Sequence, residues 1–386
     1  MSITRPHGFR ASGVTAGLKS SGRDIALIVN DGPSHSAAAV FTSNRVAAAP
    51  VLWSAQAVSD GRADAVVLNS GGANACTGPD GFVDAHHTAE HVGEALGLSA
   101  QDVLVCSTGL IGERLRMDLL LPGVDEAAAS LADDEAAGAA AAEAIRTTDS
   151  VSKTSEASGP GFTVGGIAKG AGMLAPGMAT MLAVITTDAE VAPDALDTML
   201  REAVRVSFDR ADSDGCMSTN DTVVALASGA HPEAGTHDEE ELRAALTEVC
   251  RDLAAQLIAD AEGAAHEIAI TTVGAATEEE AEAAGRAVAR SNLFKTAIFG
   301  GDPNWGRILA AVGTTDVEFD PTTIDVAVNG VWICRAGGIG DDRSGVDLSE
   351  RRVEVTVDLK SGDAEATILT NDLTHDYVHE NSAYST

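Results

Sequence analysis

Lys169-Gly170-Ala171-Gly172-Met173-Leu174-Ala175-Pro176-Gly177-Met178-Ala179-Thr180 is a glycine-rich loop that runs straight into the apolar stretch Met181-Leu182-Ala183-Val184-Ile185-Thr186-Thr187. Phe162 to Ala168 before the loop and Met181 to Thr187 after it read as short strands. Gly170, Gly172 and Gly177 allow backbone conformations closed to other residues, so the loop can fold tightly and bring a carbonyl against the Thr180 hydroxyl. The chain can then cut itself. If Thr180 attacks the Ala179 carbonyl and the resulting ester hydrolyses, Thr180 becomes an N-terminus whose α-amine titrates at about 7.7 to 8.0. Such an amine can take the proton of the hydroxyl beside it, one recognised way of making threonine a nucleophile. A threonine ahead of an apolar strand is more often structural, and these residues alone leave both readings open.

Asp24 to Asn30, Ala38 to Thr42, Ala65 to Asn69 and Val103 to Ser107 read as strands. The last two flank a helix around Phe82 to Leu96, which makes a β-α-β unit. The alanine-rich run Val124 to Ile145 reads as helical, because alanine loses little side-chain entropy in a helix. Pro193 to Val206 also reads as a helix, and Leu242, Leu246, Val249, Leu253 and Leu257 recur at helical spacing up to an end near Glu262-Gly263. Ile324, Val326 and Val328 alternate before Asn329-Gly330, with Val331 and Ile333 beyond, the pattern of a hairpin with a type I′ turn. A second hairpin is expected from Val353 to Leu369, turning near Ser361-Gly362. Strands mixed with long helices predict an α/β protein without internal repeat or disordered linker.

The chain has 386 residues, ample for a large core. Its 58 acidic against 25 basic residues give a formal charge of −33, which repels nucleic acid and anionic membranes. The same field works against an anionic substrate, so such a substrate needs a local cation; Lys169 is the nearest to the loop. Cys76, Cys106, Cys216, Cys250 and Cys334 are scattered and odd in number, without paired metal-ligand spacing, and fit reduced thiols. Neither a signal-peptide run near Met1 nor about 18 uninterrupted apolar residues occurs anywhere, so a cytoplasmic protein is expected.

Further blocks carry a resemblance that extends over nearly the whole chain: Asn69-Ser70-Gly71-Gly72-Ala73-Asn74-Ala75-Cys76-Thr77-Gly78, Cys106-Ser107-Thr108-Gly109-Leu110-Ile111-Gly112, Thr147-Thr148-Asp149, Ser218-Thr219-Asn220-Asp221-Thr222, Asp260-Ala261-Glu262-Gly263, Asp302-Pro303-Asn304-Trp305-Gly306-Arg307 and Glu380-Asn381-Ser382-Ala383-Tyr384-Ser385-Thr386. In this order, and together with the glycine loop, they resemble the ornithine acetyltransferases of arginine biosynthesis, the glutamate N-acetyltransferase family. The resemblance implies an α/β fold of N-terminal-nucleophile type, a four-layer αββα sandwich of two sheets between helical layers, with a smaller additional α/β region. It implies cleavage between Ala179 and Thr180 into an α chain, 1–179, and a β chain, 180–386, paired as α2β2. The implied activity is acetyl transfer from N2-acetyl-L-ornithine to L-glutamate, in some members also from acetyl-CoA, without a cofactor. A self-processed aminopeptidase or amidohydrolase using the same nucleophile is the alternative.

The resemblance also assigns roles. Thr180 is the nucleophile, and Thr108 with Gly109 supplies the oxyanion hole; by its own pattern Thr108-Gly109 is only a strand-ending turn. Thr147, Lys169, Thr180, Glu262, Asn381 and Thr386 match substrate-contacting positions. Singly, Thr147 reads as a helix end, Lys169 as a solvated charge, Glu262 as a helix-end carboxylate and Asn381 to Thr386 as a frayed tail. Together they offer both signs of charge plus neutral partners, as ornithine's carboxylate and ammonium require. The Asp302–Arg307 block reads as a capped helix start and scaffold near the site. His87-Thr88-Ala89-Glu90-His91 fits an inverted zinc-peptidase pattern, but a solvated helix face explains it better. Ser150-Val151-Ser152-Lys153 fits an S-x-x-K motif without its companions. Asp212-Ser213-Asp214-Gly215 resembles a calcium loop except that Arg210 stands where the first carboxylate belongs. No metal is expected.

Overall fold

The structure is a computed structural model, and it describes residues 2–175 and 181–383. The first two-thirds of the chain runs β1 (Phe9–Val14), β2 (Ile25–Asn30), β3 (Ser36–Phe41), α1 (Ala49–Ala57), β4 (Ala65–Asn69), α2 (Gly78–Leu96), β5 (Val103–Ser107), α3 (Met117–Ala129), α4 (Glu135–Ala144), β6 (Lys153–Gly159), β7 (Phe162–Lys169), β8 (Leu182–Thr187), α5 (Pro193–Arg205), β9 (Thr222–Ala227) and α6 (Glu239–Ala259). It continues through β10 (Glu267–Ala275), α7 (Glu278–Ala289), α8 (Asn292–Phe299), α9 (Trp305–Val312), β11 (Asp325–Val328), β12 (Val331–Arg335), β13 (Gly338–Ile339), β14 (Arg352–Asp358), β15 (Ala364–Asn371) and α10 (His375–Ala383). Among the described residues these form three sheets, ordered β1-β2-β4-β5, β3-β9-β8-β7-β6 and β13-β12-β11-β14-β10-β15.

The first two sheets lie face to face. Their central strands β2, β4, β5, β8 and β9 are buried on both sides, so they carry near-continuous apolar runs. Ala26, Ile28, Val66, Leu68 and Leu104 of the first sheet meet Ile167, Leu182, Val184, Val224 and Leu226 of the second, and Ala141, Ala142 and Ala144 of α4 join the same core. The outer face of the first sheet packs through Leu27, Val67 and Val105 against α2 and α3. The outer face of the second packs through Val164, Ala183, Ile185, Val223 and Ala225 against α5 and α6. The layers are therefore helix, sheet, sheet, helix, as the family resemblance implies.

Local rules account for most elements. β4 and β5 pair in parallel around α2, the expected β-α-β unit. In α6 the Asp238 carboxylate accepts the N–H groups of Glu240 and Glu241, capping the helix, and Leu242, Leu246, Val249, Leu253 and Leu257 all face the core. Burying each contributes roughly 1.5–3 kcal/mol. α5 begins on Pro193 and buries Leu196, Met199, Leu200, Ala203 and Val204, a single helical stripe. The Asn329-Gly330 turn has φ of 46° and 79°, both left-handed as type I′ requires, and Val328 pairs with Val331.

Two expectations are corrected. The alanine-rich run is not one helix: α3 ends at Ala129, Ala132 bridges to Ala11 of β1, and Asp134 caps a new helix by accepting the Ala137 N–H. A local cap and a strand edge outweigh uniform helix propensity there. Val353 to Leu369 is not a hairpin either. β14 and β15 do not pair with each other, because β10 lies between them, parallel to β14 and antiparallel to β15. β10 meets both partners over nearly its whole length, which two strands joined by a short turn would forgo.

The third sheet, with α7 to α9, has its own core and braces the sandwich. Asp212 takes Arg290 (2.7 Å) and Arg286 (3.6 Å) from α7 and its C-terminal end, and its N–H donates to the Leu369 carbonyl (2.8 Å). Lys295 of α8 donates to the Ser213 carbonyl and to Thr370. The loop 211–215 is thus held from the far side. Among the described residues no helix is long and apolar enough to cross a membrane.

Candidate active site

β7 ends on Lys169, which pairs across the sheet with Leu182 of β8, so the glycine-rich loop leaves and re-enters the same sheet edge. Its backbone is tied down on the approach. Gly170 N–H donates to Asp149 (2.7 Å), the Ala171 carbonyl accepts from Glu262 N–H (2.8 Å), Met173 N–H donates to Asp214 (2.7 Å), and the Leu174 carbonyl accepts from Ser213 N–H (2.6 Å). On the far side Met181 N–H donates to Asp221 (2.9 Å) and its carbonyl accepts from Thr222 N–H. Ala179, Thr180 and Thr386 lie outside the described residues. A Cβ at Gly172 would stand 2.4 Å from the Glu262 carboxylate, so any side chain there would push that carboxylate aside.

A single pocket beside this loop is lined by Thr108, Gly109, Thr147, Lys169, Glu262 and Asn381, six residues drawn from five separate stretches of chain. Every described residue singled out for the site by sequence is in it. Asp214, Cys216, Asn220 and Tyr377 line it too.

Thr108 follows the last residue of β5, and its N–H is already spent on the Asn69 carbonyl (2.9 Å). Its hydroxyl accepts from Lys169 Nζ at 3.2 Å, which leaves the hydroxyl proton to be donated elsewhere. Gly109 has φ 129°, and a Cβ there would stand 2.7 Å from Gly72 N, so only glycine fits. Its N–H has no acceptor among the described residues. The donors this turn can offer an oxyanion are therefore the Gly109 N–H and the Thr108 hydroxyl, not two backbone groups. Asn220 holds the turn in place, donating to the carbonyls of Ser107 (2.8 Å) and Ala73 (2.6 Å).

Lys169 is 2 % exposed, which removes the reading of a solvated charge. Burial pushes its ammonium down, and the Asp149 carboxylate is the main opposing influence. Asp149 binds three groups at once: Lys153 Nζ (2.6 Å), Gly170 N–H (2.7 Å) and Thr147 N–H (3.0 Å). Burial pushes its carboxyl up, but Lys169, Lys153 and the Gly170 N–H outweigh that and hold it at about 2. Lys153 is fully buried between Asp149 and Asp260, both at 2.6 Å, so the Ser150–Lys153 motif is a structural ion cluster, with Ser150 also bound to Asp260. Glu262 accepts from Asn381 Nδ2 (3.0 Å), tying α10 to the pocket. Asp221 is fully buried, with one oxygen on Met181 N–H; burial pushes its carboxyl well up, against Met181 N–H, Lys169 and Ser218.

The remaining motifs lie elsewhere. On α2, His87 and Glu90 are exposed and His91 pairs with Asp125 (2.9 Å). Asp212 of the calcium-like loop is occupied by arginines. Among the described residues no group of three His, Cys, Asp or Glu could hold a metal ion. In the Asp302–Arg307 block Asn304, not Asp302, caps α9 by accepting the Arg307 N–H, and the block sits in the third-sheet unit rather than in the pocket lining. Of the residues that sequence left without a role, Asp149, Asn220 and Asp221 stood inside recognised blocks. Asp214 was set aside with the calcium-like loop, and Tyr377 carried no signal.

The sequence model of the ArgJ family matches residues 10–386. The arginine biosynthesis bifunctional protein ArgJ of Thermobifida fusca (strain YX) is 63% identical over 387 residues, covering 100% of both chains. That of Streptomyces coelicolor is 60% identical over 386 residues, again covering both chains fully. Among solved structures, the ornithine acetyltransferase of Mycobacterium tuberculosis complexed with ornithine is 52% identical, with 47% of this chain and 96% of that chain covered and a TM-score of 0.45.

Proposed function

The chain belongs to the ArgJ family and is an acetyltransferase of arginine biosynthesis, and on that premise we propose that it carries the acetyl group on Thr180 between two half-reactions. In the first, the Thr180 hydroxyl attacks the amide carbonyl of N2-acetyl-L-ornithine. The C–N bond breaks, and the Thr180 α-amine takes the hydroxyl proton and passes it to the departing ornithine nitrogen. In the second, the neutral α-amine of L-glutamate attacks the ester, N-acetylglutamate leaves, and the threonine oxygen recovers its proton. Both tetrahedral intermediates place an oxyanion against the same donors, the Gly109 N–H and the Thr108 hydroxyl; one such donor is worth roughly 2.7–4 kcal/mol. Lys169 and Glu262 supply the two signs of charge for the amino-acid parts, with Thr147, Asn381 and Thr386 as neutral partners.

The observation that carries this reading is the convergence of Thr108, Gly109, Thr147, Lys169, Glu262 and Asn381 on one pocket beside the glycine loop. An aminopeptidase or amidohydrolase with the same nucleophile is the weaker reading, since full-length relatives at 60% identity and above are arginine biosynthesis bifunctional proteins by name.

Cleavage between Ala179 and Thr180 is part of the proposal. The α chain 1–179 and β chain 180–386 would stay together, because β7 and β8 are hydrogen-bonded neighbours in one sheet. We place two such pairs in a cytoplasmic α2β2 assembly. Acetyl-CoA as a second donor to the same threonine is part of the proposal, and would be a second activity in keeping with relatives named bifunctional. Intact mass of wild type and Thr180→Ala, with and without acetylornithine, tests the core of the reading. Two chains in the wild type, an acetylated β chain, and one unbroken inactive chain in the variant are expected. A fully active unbroken wild type would refute it.

A further inference from the structure

Resting on that reading, one pocket has to receive two side chains of opposite charge in turn. Ornithine's ends in an ammonium and glutamate's in a carboxylate, at similar reach from the α-carbon. A permanently ionised carboxylate that holds the first repels the second by a comparable amount, so Glu262, given the negative sign above, does not by itself serve both if it stays ionised. The pocket wall contains a group able to serve both.

Asp214 lines the pocket with Glu262 and Tyr377, and the same three residues border the adjoining cleft that contains Lys295 and Asn371. Its carboxylate is fixed in place, with one oxygen accepting the Met173 N–H (2.7 Å) and the other the Cys216 N–H (3.0 Å). Each oxygen keeps a further lone pair. Burial pushes its carboxyl up; the two N–H groups and Lys295 oppose this, and Asp212 adds to it. Around it, Asp212 is paired with Arg290 and Arg286, and Lys295 is bound to Ser213 and Thr370. Tyr377 is kept a phenol by burial and by the nearby Asp214, Cys216 and Glu262, so its hydroxyl can either donate or accept. No hydrogen bond occupies that hydroxyl among the described residues.

We propose that Asp214 reads the substrate side chain, ionised against ornithine's ammonium and protonated against glutamate's carboxylate, with the Tyr377 hydroxyl accepting in the first case and donating in the second. When the ammonium leaves and the carboxylate enters, one proton passes from solvent to an Asp214 oxygen, and it returns to solvent when the next acetylornithine binds. No other bond changes. The carboxyl is thus a specificity-determining group for both half-reactions.

Calorimetry on the wild-type enzyme tests this directly, titrating ornithine and glutamate in phosphate and in Tris at pH 7. The two ligands share the α-amino and α-carboxylate groups, so the difference in proton uptake isolates the side chain. Glutamate is expected to take up about one proton more than ornithine; equal uptake overturns the proposal. In Asp214→Asn, which imitates the protonated form, the KM for acetylornithine should rise tenfold or more, at about 1.4 kcal/mol per tenfold. The KM for glutamate should stay within about threefold and lose its rise with pH. Parallel changes in both KM values, or none in either, refute the assignment. If the variant fails to cleave, the wild-type calorimetry still decides. A wild type that makes no N-acetylglutamate sinks the reading of function, whereas normal turnover with equal proton uptake sinks only the role of Asp214.

Discussion

Replacing Asp149 by Asn should loosen the pocket at its most charged point. The carboxylate joins Lys153, Gly170 and Thr147, and it is the chief opposing charge for buried Lys169. Its carboxyl sits at about 2 instead of the usual 3.8, a difference worth about 2.5 kcal/mol of folding free energy at neutral pH. Independently, removing one partner of a buried pair costs about 3–5 kcal/mol. Asp260 still faces Lys153 at 2.6 Å, which favours the lower end. A loss of about 2–4 kcal/mol is therefore expected, small enough for the chain to remain folded. Urea unfolding in the Thr180→Ala background, where one continuous chain unfolds, is the assay. Because the folded-state pKa is depressed, the stabilisation is complete above about pH 4 and disappears as pH falls through about 2. The gap between the parent and the Asn variant should narrow over that window. A gap under about 1 kcal/mol at pH 7, or one that persists unchanged at pH 2, would refute the account of Asp149.

Thr108→Ala removes one of the two proposed oxyanion donors and leaves the backbone bond to Asn69 in place; kcat should fall about 10²–10³-fold while Thr108→Ser recovers most of it. Steady-state kinetics in which alanine and serine behave alike at the wild-type rate would rule the hydroxyl out. Gly172→Ala places a methyl group 2.4 Å from the Glu262 carboxylate, which must swing aside, so the KM for acetylornithine should rise about tenfold, near 1.4 kcal/mol. An unchanged KM would mean that Glu262 does not meet the substrate where the pocket places it.

What could be read from sequence follows the range of the interactions. The β4-α2-β5 unit and the Asn329-Gly330 turn depend on residues a few positions apart, and periodicity and turn chemistry reach that far. The position of β10 between β14 and β15 depends on a strand about eighty residues away in sequence, and the pattern of Val353 to Leu369 carries no trace of it. The split of the alanine-rich run turned on Ala132 meeting Ala11, again a distant partner. In the pocket, Thr108-Gly109, Lys169 and Glu262 were visible because whole blocks resemble a family. Which proton Thr108 offers was not visible, since that depends on Asn69 having taken its N–H. Asp214 was obscured by its own context: an acidic, glycine-containing stretch reads as a cation loop, and only the arginines of a separate sheet unit show that Asp212 is neutralised and Asp214 is turned to the pocket.

The same distances constrain when the glycine loop can acquire its shape. Its approach is held by Asp149, Ser213, Asp214 and Glu262, and its exit by Asp221. Four of these five lie beyond the loop in sequence, and the 211–215 segment is itself braced by Lys295 and Arg290 of the third-sheet unit. A glycine-rich segment loses more conformational entropy on ordering than any other, so without such partners little would hold it in one shape. Scission at Ala179-Thr180, as proposed, is then coupled to completion of the fold rather than to the local sequence. That coupling also explains why a self-cutting chain would not fall apart. β7 and β8 are paired from Lys169 and Leu182 onward, and residues from both sides of the proposed cut share the same cores, so the two chains would stay joined.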